Sequence, residues 1–469
     1  MPWRMESAQR EAFTRHSRHS SKESHMPDLS IYFCGVHSPN PFWLASGPPT
    51  NTAYQVMKAF DAGWGGAVWK TIGDPIINTA SRYGSIDYKH ERMIGLNNIE
   101  LISDRPIETN FREISDVKKR FPRNTVIASL MVESKRETWH DIMRRAQDSG
   151  ADLVELNFGC PHGMSERGMG AAVGQVPEYA TMITTWVKEV ATIPVIVKLT
   201  PNVTDVAHMA HAAKQGGADA VSLVNTFNSL VGVDLDSFAP RPNVGGYGSH
   251  GGYCGPSVKP IALHMVSSVA KHPKVGIPIS GIGGIGNWQD AVEFILLGAT
   301  SVQVCTAAMH YGFRIVEDMI DGLSQYLEDK GFSSVMDLVG KSVDRIRDWG
   351  DLDLNYKIVA RIDPQLCIGC NLCYIACEDG AHQCISAAER PRGDLRDGEI
   401  AKHVPRILED ECVGCNLCAL VCPVPGCITM EQIDLGRRTM SWRQLQEARG
   451  RNPQCSMEDL LANRSAAGD

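Results

Sequence analysis

The sequence predicts an α/β chain: a (β/α)8 TIM barrel followed by a smaller α+β domain of the two-cluster bacterial ferredoxin type. Three observations predict it. Between about Leu29 and Leu327, short apolar runs alternate eight times with helical patterns over roughly 300 residues. The unusual polar residues of that region fall where the apolar runs end. Eleven of the fifteen cysteines crowd between Cys367 and Cys455.

The chain has 469 residues and is 43% hydrophobic, enough for two or three domains and a large core. A formal net charge of −8 with no long basic stripe argues against a nucleic-acid partner. No apolar stretch reaches the length of a transmembrane helix, so no membrane partner is expected. Residues 1–27 are polar and lack the apolar core of a signal peptide. They read as a disordered leader on a cytoplasmic protein, with Met26 a candidate start. The domain reading continues with a barrel over 28–335, a linker over 336–360, a ferredoxin-like domain over 361–432 and a C-terminal tail over 433–469.

The predicted barrel strands are Phe42–Ser46, Gly66–Thr71, Thr125–Leu130, Leu153–Gly159, Val195–Thr200, Ala220–Thr226, Ile277–Ile282 and Ser301–Thr306. Helical patterns follow, among them Thr138–Ser149, Pro177–Val190, Asp205–Gln215, Ser257–Ala270 and Trp288–Leu297. A doubly wound open sheet is the alternative; the strand count favours the barrel. In a barrel, active residues lie at the C-terminal ends of strands. Ser46, Lys70-Thr71, Asn157, Cys160, Lys198, Asn225-Thr226, the glycines Gly281, Gly283 and Gly284, and Cys305-Thr306 all fall there. A lone Asn or Thr at such a place is as readily a capping residue. Two lysines in one barrel mouth are harder to explain structurally, because lysine is rarely buried unpaired. Cys160, at the end of strand four and before the glycine-dotted loop Pro161–Gly170, is either a catalytic acid or a small packed hydrophobe.

The stretch Gly281-Ile282-Gly283-Gly284-Ile285-Gly286 matches a dinucleotide fingerprint by letter, but no acidic residue ends the next strand to hold a ribose. Glycines after strand seven and a small polar residue after strand eight instead make a phosphate site. A phosphate-bearing cofactor held by Gly283, Gly284, Cys305 and Thr306 follows, with Lys70 and Lys198 supplying positive charge near its ring. The glycine-rich region Pro240–Pro260 is expected to line the same mouth, most of it as a flexible surface loop.

The most specific signal is C-terminal. Cys367-x2-Cys370-x2-Cys373-x3-Cys377 is followed by Cys412-x2-Cys415-x2-Cys418-x3-Cys422-Pro423. In this spacing the fourth cysteine of each run ligates the other cluster. One [4Fe–4S] cluster takes Cys367, Cys370, Cys373 and Cys422; the other takes Cys412, Cys415, Cys418 and Cys377. Zinc is the alternative, but a zinc ribbon needs paired C-x2-C knuckles. Cys384, Cys427 and Cys455 lie outside the pattern as structural or free thiols, and Ala387–Glu399 reads as a surface insertion. Clusters pass single electrons while organic substrates take pairs. A flavin interconverts the two, so FMN is the expected barrel cofactor. With no acceptable dinucleotide site, NAD(P)H must act through another subunit.

From about Leu29 to Met430 the chain resembles the catalytic subunits (PreA or PydA type) of bacterial NAD-dependent dihydropyrimidine dehydrogenases. The residues that carry the resemblance include Asn98-Ile99-Glu100-Leu101-Ile102-Ser103, Asn157 through Gly170, Lys198-Leu199-Thr200-Pro201-Asn202-Val203, Gly283-Gly284-Ile285, Gln303-Val304-Cys305 and both cysteine runs. The related dihydroorotate dehydrogenases share the FMN barrel without the fused ferredoxin module. The resemblance implies FMN held by Ala45, Ser46, Lys70, Thr71, Lys198, Gly255, Ile282, Gly283, Gly284, Cys305 and Thr306. It implies a pyrimidine held by Asn98, Glu100, Asn157, Asn225 and Thr226, whose amides and carboxylate match the alternating donors and acceptors of a uracil edge. It implies reduction of uracil or thymine to the 5,6-dihydropyrimidine, with hydride from FMN at C6 and a proton from Cys160 at C5. An ordinary thiol, of pKa about 8.5, carries that proton at neutral pH. The loop Pro161–Gly170 would close over the site. The implied partner is a PreT-type flavoprotein bearing FAD and the NAD(P)H site, around a homodimer within a heterotetramer. Two departures stand out. Gly159 replaces a serine common before the catalytic cysteine, and Cys254 replaces the serine of a Gly-x-Ser-Gly motif. The alternatives are a dihydroorotate-type or other cyclic-imide oxidoreductase and a non-catalytic electron carrier.

Overall fold

The computed structural model describes residues 26–74, 83–88, 90–161, 168–387 and 404–450. Residues 1–25 of the leader, 162–167 of the loop after Cys160, 388–399 of the insertion, Cys455 and the end of the tail lie outside the described residues. The chain forms two compact units that divide between Arg345 and Ile346. Among the described residues no helix is long and apolar enough to cross a membrane.

In the first unit eight parallel strands close a barrel in chain order: β1 (Phe42–Leu44), β2 (Gly66–Val68), β3 (Thr125–Leu130), β4 (Leu153–Asn157), β5 (Val195–Lys198), β6 (Ala220–Leu223), β7 (Ile279–Ile282) and β8 (Ala299–Val304). Each lies within or beside its predicted run, and the closed order excludes the open sheet. The strands are short because only the buried stretch pairs; Ser46, Lys70 and Cys160 lie beyond the ladder in the loops of the C-terminal mouth, and Thr306 opens the helix Thr306–Tyr311 there. Every residue of β3 is buried, as expected of a strand covered on both faces. The helices turn one apolar stripe inward. On Arg136–Asp148 that stripe is Trp139, Ile142, Met143 and Ala146, at helical spacing. Burying each of the larger ones contributes roughly 1.5–3 kcal/mol.

The two ends are closed differently. A hairpin, Ile31–Phe33 with Val36–Ser38, covers the N-terminal end: Trp43 Nε1 donates to Ser38 Oγ at 3.0 Å and Thr125 Oγ1 to the His37 carbonyl at 3.3 Å. Over the C-terminal end lies a four-stranded antiparallel sheet ordered Phe227–Ser229, Gly251–Cys254, Glu91–Asn98, Tyr83–Tyr88. Its strands come from the insertions after β2 and β6. The surface-loop reading of Pro240–Pro260 holds for the exposed Gly245, Gly246 and Gly248 but not for the buried Gly251, Gly252 and Gly255. Gly251 and Gly252 are buried strand residues, and Asn98 Nδ2 donates to the Gly252 carbonyl at 3.0 Å. Glycine there serves close strand packing rather than mobility.

In the second unit Lys357–Ile362 pairs antiparallel with Ile428–Ile433, and Ile385–Ser386 with Arg406–Ile407. The helices Leu372–Glu378 and Leu417–Leu420 each follow an asparagine in left-handed conformation, Asn371 (φ 60°) and Asn416 (φ 69°). The same bend in both cysteine runs shows an internal repeat. The helix Trp442–Ala448, with a Ser441–Gln444 capping box, lies in the segment read as a tail.

Candidate active site

The strand ends and the antiparallel sheet enclose a cavity of about 490 Å³. Every cofactor and substrate residue named above lines it, as does Cys160. The barrel thus brings together side chains more than 200 residues apart, because each follows a strand pointing at the same mouth.

A polar ribbon crosses the floor. Ser46 Oγ and Thr71 Oγ1 share a hydrogen bond of 3.1 Å, and Asn157 Nδ2 donates to Thr71 Oγ1 at 2.9 Å. Asn157 Oδ1 accepts from Asn225 Nδ2 at 3.0 Å and from the Gly159 amide at 3.1 Å. Asn225 Oδ1 accepts from the Thr226 amide at 2.8 Å. Each asparagine NH2 keeps a second hydrogen for a ligand while its first bond fixes its orientation.

The two lysines are buried, and each faces a carboxylate. Lys70 Nζ lies 2.5 Å from Glu100 Oε1, and the Tyr83 hydroxyl donates to the other Glu100 oxygen. One ion pair therefore joins a residue assigned to the cofactor with one assigned to the substrate. Lys198 Nζ lies 3.6 Å from Glu155 Oε1. Cys160 is buried among Ile102, Met131 and Met169.

Gly283 (φ 126°) and Gly284 (φ 78°) line the same cavity. A Cβ on Gly284 would fall 2.8 Å from the Lys259 amide nitrogen. The amides of Gly283, Gly284, Cys305 and Thr306 donate to no protein acceptor among the described residues. Open amides at a glycine turn and at a helix start make an anion cradle. Burial pushes the Cys305 thiol up to about 12 and raises the Cys254 thiol as well. Both stay neutral, so neither opposes an anion. Thr306 Oγ1 donates to Cys254 Sγ at 3.3 Å, and Cys254 Sγ donates to the Leu96 carbonyl at 3.3 Å.

The reading from sequence did not single out Tyr83 or Glu155, and it named Gln303 only among the residues that carry the resemblance, with no role of its own. For Glu155 and Gln303 a signal existed: each is a polar residue inside an otherwise apolar strand run. Tyr83 carries no such mark, since it sits on an exposed strand far from the barrel pattern.

In the second unit the cysteines surround two separate voids. Cys367, Cys370, Cys373 and Cys422 line one; Cys377, Cys412, Cys415 and Cys418 line the other. The fourth cysteine of each run crosses to the opposite void, in the predicted exchange. Cys427 lies at the first void and Cys384 at the second. The Cys384 amide donates to Cys377 Sγ at 3.3 Å, while its own thiol donates to the Glu411 carbonyl at 2.9 Å. Burial holds the Cys427 thiol up at about 12.

The dihydroorotate dehydrogenase family model matches residues 28–327, and that of the 4Fe-4S dicluster domain matches 360–430. The NAD-dependent dihydropyrimidine dehydrogenase subunit PreA of Escherichia coli K12 is 44% identical over 367 residues, covering 78% of this chain and 89% of that protein. The chain belongs to the PreA family of dihydroorotate-dehydrogenase-type barrels. The chloroplastic dihydropyrimidine dehydrogenase (NADP(+)) of Arabidopsis thaliana is 40% identical over 346 residues, 71% of this chain and 81% of that one. The catalytic subunit of dihydroorotate dehydrogenase B (NAD(+)) of Pyrococcus horikoshii is 36% identical over 312 residues, 66% of this chain and 97% of that one. This member of the family is an oxidoreductase, with FMN and [4Fe–4S] clusters as cofactors. The barrel residues fit FMN: open amides and two positive-φ glycines for a phosphate, and buried lysines and amides for a polar ring.

Proposed function

We propose that this chain reduces the 5,6 double bond of uracil or thymine, and that the cavity is where it does so. The observation that carries the reading is the convergence of Cys160, Asn157, Asn225, Thr226, Lys70 and Lys198 on one cavity beside an anion cradle. Relatives named dihydropyrimidine dehydrogenase support it. Bound FMN supplies hydride chemistry and joins one-electron carriers to a two-electron substrate.

The chain's own residues do the rest. Gly283, Gly284, Cys305 and Thr306 hold the phosphate, and Ala45, Ser46, Lys70, Thr71, Lys198, Gly255 and Ile282 surround the ring system. Asn98, Asn157, Asn225, Thr226 and Glu100 hold the pyrimidine edge. Cys160 gives its thiol proton to C5 as C6 receives hydride, so the ring gains two hydrogens and two electrons; solvent returns the proton to sulfur. Cys367, Cys370, Cys373 and Cys422 hold one cluster and Cys412, Cys415, Cys418 and Cys377 the other. Electrons reach them from NAD(P)H through a separate FAD-bearing flavoprotein of the PreT type, around a homodimer of this chain within a heterotetramer.

The test is a set of steady-state assays of the purified chain with such a reductase, offering uracil, thymine and orotate. Consumption of uracil or thymine is expected. Turnover of orotate alone would overturn the reading in favour of a dihydroorotate-type activity.

A further inference from the structure

Glu155 takes no part in the function proposed above. It stands on β4 two residues before Asn157, so both side chains face the barrel interior. It is fully buried. Ser222 Oγ donates to its Oε2 at 2.8 Å and Gln303 Nε2 at 3.3 Å. Gln303 Nε2 also donates to Ser280 Oγ at 3.1 Å, which accepts from Ser301 Oγ at 2.8 Å. One carboxylate oxygen is thus locked by strands β6 and β8, with β7 behind them. The other, Oε1, has no hydrogen-bond partner among the described residues, and neither has Gln303 Oε1. The cation facing Oε1 is Lys198, on the neighbouring strand β5 at 3.6 Å.

A buried carboxylate with an open oxygen is destabilising unless a charge answers it. An apolar side chain would fill the same interior position without that cost. The charge therefore has a use, and the geometry gives its direction. Ser222 and Gln303 hold one oxygen so that the other points at Lys198. The cavity floor carries two such arrangements, Lys70 with Glu100 and Lys198 with Glu155, so each lysine comes with its own counter-charge.

We propose that Glu155 is the positioning residue for Lys198: its Oε1 holds the ammonium aimed at the cavity and offsets part of its positive field at the flavin ring. The inference rests on the cofactor reading and not on the pyrimidine reading. With Glu155 neutral, the ring feels Lys198 uncompensated and accepts electrons more readily, because its reduced form carries more negative charge.

The test is spectroelectrochemical titration of the flavin in the FMN-loaded full chain, for wild type, Glu155→Gln and Glu155→Asp. No pyrimidine is present, so failure of the substrate reading leaves the result intact. Glu155→Gln is expected to keep the wild-type FMN content. It should move the reduction equilibrium at least tenfold toward the reduced ring, about 30 mV for a two-electron couple. Glu155→Asp, which withdraws the charge without removing it, should give a smaller rise. A purely structural Glu155 predicts a lower melting temperature with an unchanged potential. That result, or a lowered potential, overturns the proposal. If Glu155→Gln fails to fold, an unchanged potential in Glu155→Asp overturns it equally.

Discussion

Gly159 lies so close to Asn225 that a Cβ added to the glycine would fall 2.5 Å from the Asn225 Cβ and 2.6 Å from its Nδ2. Asn225 in turn donates to Asn157, which also accepts the Gly159 amide. The glycine just before Cys160 is thus fitted to the asparagine opposite it. Gly159→Ser should push Asn225 off Asn157 and cost about 1–3 kcal/mol as an overpacked site. The expected kinetic result is a raised KM for the pyrimidine with a smaller change in kcat. Melting temperature and steady-state kinetics on one preparation check both parts.

Cys160 lines the cavity but no strand ladder depends on its side chain. Cys160→Ala should keep FMN and iron at wild-type levels. Loss of a general acid should lower turnover by about 10²–10⁴-fold. A near-normal rate would remove Cys160 from the mechanism.

Gly284 combines a left-handed φ of 78° with backbone of Lys259 beside it. Gly284→Ala must move one or the other, which opens the cradle. The purified variant should contain much less FMN than wild type by absorbance, with its iron content unchanged.

The two voids predict separable clusters. Cys422→Ser should lower iron from about eight to about four atoms per chain, since only one cube loses a ligand. Cys427→Ser, at the same void but outside the proposed ligand set, should leave iron at about eight per chain.

Cys34 makes a pH prediction away from the site. Burial, reinforced by the Asp219 carboxylate, pushes its thiol up to about 12. Its Sγ donates to the Asp219 carbonyl at 3.5 Å. In the unfolded chain the thiol ionises near pH 8.5–9. Between about that pH and 12 the folded state holds a proton that the unfolded state has lost, so stability falls as pH rises through this window. Cys34→Ser, which does not titrate there, should lose less melting temperature between pH 8 and pH 10 than wild type.

The barrel and its floor were legible because their causes are local. Apolar runs such as Thr125–Leu130 declare a buried strand, and a polar residue after such a run declares the mouth. That reasoning reached Lys70, Asn157, Cys160, Lys198 and Thr306 before any contact was known. The cysteine runs were legible for the same reason, since the wrap around a cluster is written in consecutive residues.

Pairings across distance were not legible. Tyr83–Tyr88 and Gly251–Cys254 become strands of one sheet only because insertions from two separate barrel loops meet above the mouth. By itself, the sequence determined the fold class, the mouth and the residue types gathered there, because periodicity and strand-end position are properties of neighbouring residues. Tertiary structure alone decided that Lys70 faces Glu100, that Lys198 faces Glu155, and that Gly159 makes room for Asn225. Ion pairs and van der Waals limits act over a few ångströms of space, whatever the separation along the chain.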